Sequence, residues 1–345
     1  MSVTRFFISV DGGATKTFAI CYDETGLIYG SGVSGSSNYR NTSIDLARKN
    51  LGIAVSNAIS RAGLDKNQIQ KFTFALAGVK DSERSTEIIK DFVNQLKLDS
   101  KVSLFNDGEA GFNCRFPGQD GIIAAPGTGM ISYGKRGVVF ERASGWGWFL
   151  GDEGAAFYIS RRAMQECTNI YDGRLEIESK LPEKLMKYYG IEDARKLVNE
   201  VYTAPLDIRK IAAFAQTVGK LANEGDKLAL KLLKEAAYAA GNCVIALKNR
   251  LFPDENITYS GYGGVFRSGN IYWNYIKEKV NSKFPDSKSV PPLFGYHAVI
   301  GSIFLVMKDT GALDQFVLES EISQVDKQVK NLPVKEKKEF LFLDE

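Results

Sequence analysis

Asp11-Gly12-Gly13-Ala14-Thr15-Lys16-Thr17 places a carboxylate, small residues, two hydroxyls and an ammonium within one short stretch. Gly12 and Gly13 let backbone N–H groups come close to an anion. Thr15, Lys16 and Thr17 can donate to phosphate oxygens, and Asp11 offers the hard oxygen that Mg²⁺ prefers. A tight β-turn that needs glycine is the structural alternative. It weakens because Gly127, Thr128 and Gly129 repeat the arrangement in the second half of the chain, after Pro126. Two such hairpins facing each other suit a nucleoside triphosphate. A third cluster, Ser260-Gly261-Tyr262-Gly263-Gly264, follows a predicted strand, so Gly261, Gly263 and Gly264 would let backbone approach a flat group such as adenine. A plain strand-to-helix turn would use the same residues.

Asn106-Asp107-Gly108-Glu109-Ala110 also follows a predicted strand, which makes Asp107 the candidate general base. A base that takes a hydroxyl proton during phosphoryl transfer supplies about 10² to 10⁴ in rate; a simple Asn-Asp-Gly turn is the alternative. Gly145-Trp146-Gly147-Trp148 followed by Gly151-Asp152-Glu153-Gly154 combines flat apolar rings with hydrogen-bond acceptors, as a sugar requires. The structural alternative puts the tryptophans in the core and Asp152 at a helix N-cap with Glu153 in the first turn. His297 is the only histidine, which excludes a histidine-dependent triad or a multi-histidine metal site. The chemistry must rest on carboxylates.

The elements that would position these residues repeat. Residues 5–33 read as strand, glycine turn, strand, turn, strand, with strands at 5–10, 18–22 and 27–29; residues 120–144 repeat the plan with strands at 121–125, 130–133 and 138–142. Helical periodicity follows each meander: 44–62 and 81–96 in the first half, with strands at 72–77 and 102–105. The second half shows helices at 152–167, 208–222, 226–252, 271–284 and about 296–308, with a strand at 257–260. A duplicated meander with alternating helices and strands predicts two α/β lobes, each a mixed sheet covered by helices, and a ligand-binding cleft between them. The boundary falls at Arg115 to Gln119. We expect one lobe over 1–116, with a helix of about 295–310 packing back on it, a second over 117–294, and a charged surface tail over 321–345, whose Lys-rich residues 327–338 read as a solvated surface helix or a loose tail.

Composition narrows the class. Forty-four basic against 41 acidic residues leave +3, far from the clustered charge of a nucleic-acid footprint. The longest nearly apolar stretch, Ala298 to Met307, is about half of the ~20 residues that cross a bilayer, and no basic-then-apolar leader pattern opens the chain. Cys21, Cys114, Cys167 and Cys243 form no CxxC pair. The expectation is a cytoplasmic protein with no membrane or nucleic-acid partner.

In their order, DGGATKT (11–17), NDGEAG (106–111), PGTG (126–129), GWGWFLGDEG (145–154) and SGYGGVF (260–266) resemble the sugar-kinase, Hsp70 and actin superfamily. More closely the chain resembles the BadF/BadG/BcrA/BcrD ATPase family, N-acetylglucosamine kinases among them, over about residues 5–310. The resemblance implies two RNase H-like lobes acting on ATP with Mg²⁺ and a small-molecule sugar, usually as a homodimer. It implies that Asp107 is the base and Asp11 the metal-associated aspartate. Lys16, Thr17 and Thr128 would sit at the phosphates, and Gly261, Gly263 and Gly264 near adenosine. Asn38, Gly145, Trp146 and Asp152 would line the sugar pocket. Ala14 stands where a third glycine is commoner, Pro126 and Met130 where amino-sugar kinases carry small polar residues, and Ser144 where some relatives have cysteine.

The leading expectation is an ATP-dependent N-acetylglucosamine kinase. Alternatives on the same fold are a 2-keto-3-deoxygluconate kinase, for which Arg40 and Arg115 are available, a broad hexokinase, a BadF-type activator ATPase and a non-catalytic sugar sensor. The activator needs cysteines for an iron–sulfur cluster, and Cys114 and Cys167 stand isolated. A sensor should lack the base or the metal aspartate, and both are present.

Overall fold

The first meander forms because Phe7 to Val10 and Phe18 to Tyr22 are apolar runs that end in turn-forming residues. In the computed structural model, which describes residues 4–98, 101–202 and 206–343, these runs become β1 (Phe6–Gly12) and β2 (Lys16–Asp23). They are followed by β3 (Ile28–Gly35), α1 (Ile44–Arg61), β4 (Ile69–Leu76), α2 (Glu83–Asn94), β5 (Lys101–Asn106) and α3 (Asp107–Asn113). The sheet order is β3-β2-β1-β4-β5, with β1, β2 and β3 antiparallel and β1, β4 and β5 parallel. Ile8, Val10, Phe72 and Phe74 fill one side of its core. β3 runs well beyond the expected 27–29. Its glycines lower strand propensity, yet they are there for packing: a Cβ on Gly30 would lie 2.4 Å from Ala58 O, and one on Gly32 2.1 Å from Ala54 O. α1 therefore rests directly on the β3 backbone.

A second unit, Asp120–Gly295, repeats the plan. It contains β6 (Gly121–Pro126), β7 (Met130–Arg136), β8 (Val139–Ser144), α4 (Ala156–Tyr171), α5 (Leu181–Tyr189) and α6 (Leu197–Val201). After these come α7 (Ile208–Ala213), α8 (Ala215–Asn223), α9 (Lys227–Leu251), β9 (Thr258–Gly261), α10 (Asn270–Asn281) and β10 (Lys288–Ser289). The order is β10-β9-β6-β7-β8, again an antiparallel meander joined to parallel strands. α9 buries Leu228, Leu232, Ala236, Ala240, Val244 and Leu251 along one face, opened by Asp226, whose carboxylate accepts from Ala229 N at 3.0 Å. The helix expected over 208–222 is two, broken at the fully buried Phe214. α5, α6 and β10 were not foreseen.

The first unit runs to Gln119 and takes in the chain again from Tyr296. α11 (Ala298–Thr310) is buried throughout Ala298 to Met307 and crosses α3 so closely that a Cβ on Gly301 would stand 1.8 Å from Ala110 O. The charged stretch from residue 321, expected as a solvated surface helix or a loose tail, is largely helical and packs rather than standing in solvent. α12 (Leu318–Asn331) buries Glu321, Val325 and Val329, and its Gln324 and Gln328 side chains bond Ile28 N and Ile28 O at 2.9 and 3.2 Å. Sparse apolar residues four apart, with glutamines beside them, are enough to seat a helix that reads as solvated. Glu336 beyond it pairs with Arg61. No helix among the described residues is long and apolar enough to cross a membrane.

Candidate active site

In the first unit the β1–β2 hairpin closes with Gly13 N donating to Lys16 O at 3.0 Å, and Ser36 Oγ donates to Gly13 O at 3.0 Å. Asp11 is 8 % exposed, and Lys16 Nζ lies 3.2 Å from its Oδ2. Ala14 and Thr15 form the tip, partly exposed. Thr17 departs from expectation. It is fully buried, and its hydroxyl donates to Gly35 O at 2.8 Å, so it ties β2 to β3 instead of facing a phosphate.

β5 delivers Asp107 as the first residue of α3. Gly108 N donates to Asn106 Oδ1 at 2.9 Å and to Asp107 Oδ1 at 3.0 Å, while Asn106 Nδ2 donates to Val79 O at 2.7 Å. Burial, and then the facing charges of Asp11 and Asp81, push the Asp107 carboxyl up to about 7, outweighing the Gly108 N–H that favours its ionised form. A carboxylate that exchanges its proton near neutrality is suited to general-base work. Asn38 lies in an adjoining turn: its N–H donates to Ser36 Oγ at 3.1 Å and its Oδ1 accepts from Arg40 N at 3.0 Å.

In the second unit the β6–β7 hairpin closes with Gly127 N on Gly129 O at 2.8 Å. α4 has no side-chain cap at Ala155; Ala156 N and Phe157 N donate to Gly127 O and Thr128 O at 2.9 and 3.3 Å. The hairpin carbonyls thus do the capping, which moves the helix start from the expected 152 to 156. Asp152 is therefore not the N-cap. It sits at φ 62°, 8 % exposed, accepts from Gly147 N at 3.3 Å and from Met130 N, and burial pushes its carboxyl upward. A Cβ on Gly129 would lie 2.6 Å from Asp152 Oδ2, so the hairpin and the 145–154 loop are in contact.

That loop holds Ser144 at φ 65° and Gly145 at φ 77°, where a Cβ would also strike Ile131 Cδ1 at 2.7 Å. Trp146 is 67 % exposed under the Arg142 guanidinium, and Trp148, 44 % exposed, packs on Phe157. The rings form a surface platform, not a core. Left-handed backbone at non-glycine residues costs about 1–2 kcal/mol each and gathers at functional sites.

The glycines separate into two groups. Gly12 (Ser37 Oγ at 2.3 Å from its would-be Cβ), Gly261 (Phe266 Cζ at 2.3 Å) and Gly263 (Pro126 O at 2.3 Å) are demanded by the protein's own packing. Gly13 and Gly264 would meet nothing within 4 Å, and Gly127 only Gly129 O at 3.8 Å; none of the three sits at left-handed φ. Each glycine loop thus carries one glycine that the fold itself does not need, leaving open backbone where a ligand could approach.

The structure brings Asp11, Lys16, Asn38 and Asp107 to one end of the first sheet, where β1, β3 and β5 finish, and Thr128, Gly129, Gly145 and Asp152 together in the second unit, with Trp146 on its surface. Sequence reasoning missed Asn106 and Asp81, which cap the helix of Asp107 and act on its charge, and Gly301, which lets α11 seat against α3; a glycine inside an apolar helix was the legible signal for Gly301. No group of three or more His, Cys, Asp or Glu able to hold a metal occurs among the described residues. A lone Asp11 with water suits Mg²⁺, which keeps much of its hydration.

The N-acetylmuramic acid/N-acetylglucosamine kinase of Clostridium acetobutylicum is 24 % identical over 288 residues, covering 83 % of this chain and 94 % of that one. The N-acetyl-D-glucosamine kinase of Dictyostelium discoideum is 25 % identical over 299 residues, covering 82 % and 92 %. The solved structure of a ROK family glucokinase from Streptomyces griseus in complex with glucose and AMPPNP shares the fold at TM-score 0.59 and 18 % identity, over 87 % of this chain and 98 % of that one. The two mixed sheets built on one repeated plan are those of the actin-like ATPase fold, and residues 8–306 match the profile of one group within it. The chain belongs to the BadF/BadG/BcrA/BcrD ATPase family.

Proposed function

We propose that the protein is an ATP-dependent sugar kinase whose acceptor is N-acetylglucosamine. The observation that carries the reading is Asp107: a partly buried carboxylate at a strand-to-helix junction, beside a glycine hairpin with an aspartate and a lysine. Two curated relatives, matched over most of both chains, are kinases of N-acetylated sugars.

In this reading Asp107 accepts the proton of one sugar hydroxyl as that oxygen attacks the γ-phosphorus. The bond from the γ-phosphorus to the β,γ-bridging oxygen breaks, ADP leaves, and the proton stays on Asp107 until water takes it. Lys16 and the open backbone at Gly13 and Gly127 meet the phosphates, with Thr15, Thr128 and Gly129 beside them. Gly261, Gly263 and Gly264 approach the adenosine. Asn38, Gly145, Trp146 and Asp152 hold the sugar. Asp11 would hold Mg²⁺, which when bound neutralises charge on the transferring phosphate. The loss of Thr17 from this set leaves donors enough, since backbone N–H groups and Lys16 remain.

Nothing in the cysteine positions favours the activator reading. Cys114 is fully buried, donates to Gly111 O at 2.9 Å, and burial raises its thiol, as it raises that of Cys167 to about 12. Four free cysteines suit a reducing cytoplasm, and a homodimer completes the proposal by analogy with kinases of this type.

The test is ADP release from Mg-ATP with N-acetylglucosamine, glucose, N-acetylmannosamine, 2-keto-3-deoxygluconate or no sugar. Strong stimulation by N-acetylglucosamine supports the reading. Stimulation by the acid sugar alone keeps the mechanism and changes the substrate, and hydrolysis indifferent to every sugar overturns it.

A further inference from the structure

Between β4 and α2, the turn Gly78-Val79-Lys80-Asp81 enters the reaction as described only through the charge of Asp81 on Asp107, yet it is bonded both to the turn that carries Asn38 and to the start of the helix that carries Asp107. Asp81 N closes the turn on Gly78 O at 3.3 Å, and Lys80 sits at φ 66°, a left-handed conformation that a lysine rarely adopts. That conformation throws two neighbouring side chains in different directions. Lys80 Nζ reaches Glu109 Oε2 on α3 at 3.0 Å and lies over the Phe105 ring, while Asp81 Oδ2 meets Arg40 at 3.0 Å.

Each end leads to a residue of the proposed site. Arg40 belongs to the turn of Asn38: Arg40 N donates to Asn38 Oδ1, Asn41 N to Asn38 O at 3.0 Å, and the guanidinium lies over Tyr39. On the other side, Val79 O accepts from Asn106 Nδ2, while Asn106 Oδ1 caps the helix that begins with Asp107 by accepting from Gly108 N. Ser85 Oγ donates to Gly78 O at 2.7 Å, fixing the turn to α2.

We infer that the Arg40–Asp81 ion pair is a positioning device for the acceptor sugar, setting the place of the Asn38 turn relative to Asp107. The inference rests on the proposed kinase reading and deepens it. Both side chains are well exposed, 49 % and 38 %, so the pair contributes little to stability. Its geometry is nevertheless maintained at a strained lysine, and strain persists where the surrounding structure enforces it. Small displacements of a substrate-positioning group cost much more in kinetics than in folding.

The test compares wild type, Asp81→Asn, Arg40→Gln, the charge-exchanged double variant Arg40→Asp with Asp81→Arg, and Asp107→Asn, using the acceptor found in the sugar panel. Arg40→Gln should raise the KM for the sugar by about tenfold, with kcat and the KM for ATP within about twofold of wild type, and Asp81→Asn should raise the sugar KM equally with the KM for ATP unchanged, while its kcat also responds to the loss of a charge that acts on the Asp107 carboxyl. The double variant should recover most of the sugar KM. Unchanged sugar KM in both single variants overturns the inference, as does an equal fall in kcat with every acceptor together with a lowered melting temperature, the mark of general loosening. Failure of the kinase reading is separable: a wild type that no sugar stimulates, or an Asp107→Asn variant of full activity, removes the reading, and the inference with it. A dead Asp107→Asn with normal sugar KM in the pair variants removes the inference alone.

Discussion

Replacing Asp107 by asparagine should make the protein more stable while abolishing turnover. Its carboxyl is pushed from 3.8 to about 7, chiefly by burial and then by Asp11. Because the folded value is raised, the native state binds this proton more tightly than the unfolded chain. The associated stability is complete below about pH 4 and disappears as pH rises towards 7. A shift of about 3 units corresponds to ~4 kcal/mol at 1.36 kcal/mol per unit. Asp107 retains some contact with water, which screens its charge, so we expect ~2 kcal/mol above pH 7. Asparagine keeps the oxygen that Gly108 N bonds and carries no charge to bury. Without nucleotide or metal, the variant should melt a few degrees above wild type at pH 8 and level with it at pH 4.5, while sugar-dependent ADP release falls at least ~10²-fold. A variant that melts no higher at pH 8, or gains equally at both pH values, would refute the burial argument; full activity would remove Asp107 from the mechanism.

Other substitutions separate ligand contacts from packing. Gly13→Ala meets no protein atom within 4 Å, so melting should be unchanged or slightly higher while the KM for ATP rises; an unchanged ATP KM would show that the hairpin tip stays clear of the nucleotide. Gly301→Ala must push α11 off Ala110 O, and a loss of at least ~2 kcal/mol measured by denaturant is expected. Glu321 is 1 % exposed, its Oε2 has no hydrogen-bond partner, and burial with Asp23 nearby pushes it up to about 8. Stability tied to its proton is complete below pH 4.5 and lost as pH rises through 8. Glu321→Gln should therefore raise the melting temperature at pH 9 and leave it nearly unchanged at pH 4.5, and equal melting curves at pH 9 would contradict this.

The motifs were legible because glycine, threonine and aspartate have few uses at hairpin tips, and both hairpins lie where those residues occur. The duplicated meander was legible from period-two runs alone. β3 was only partly visible, since Gly30 and Gly32 serve α1 packing and suppress the strand signal. The start of α4 was misplaced because its cap comes from backbone carbonyls two motifs away, which no side-chain pattern advertises. Thr17 reads as a phosphate donor from its hydroxyl and from the family resemblance, yet its position in β2 turns that hydroxyl onto Gly35 O of the neighbouring strand. α12 was missed as a packed helix because its docking depends on Gln324 and Gln328 meeting backbone at Ile28, a contact nearly 300 residues away in sequence.

That contact also bears on self-association. β3 stands at the end of its sheet, and an edge strand offers unpaired N–H and C=O groups to any other chain. Gln324 and Gln328 occupy both groups of Ile28, and α12 lies over the strand beside them. A chain ending at Val317 would keep every residue of the proposed chemistry but uncover this template. Its first failure in solution should be concentration-dependent growth of oligomers seen by light scattering, ahead of any change in the KM for ATP.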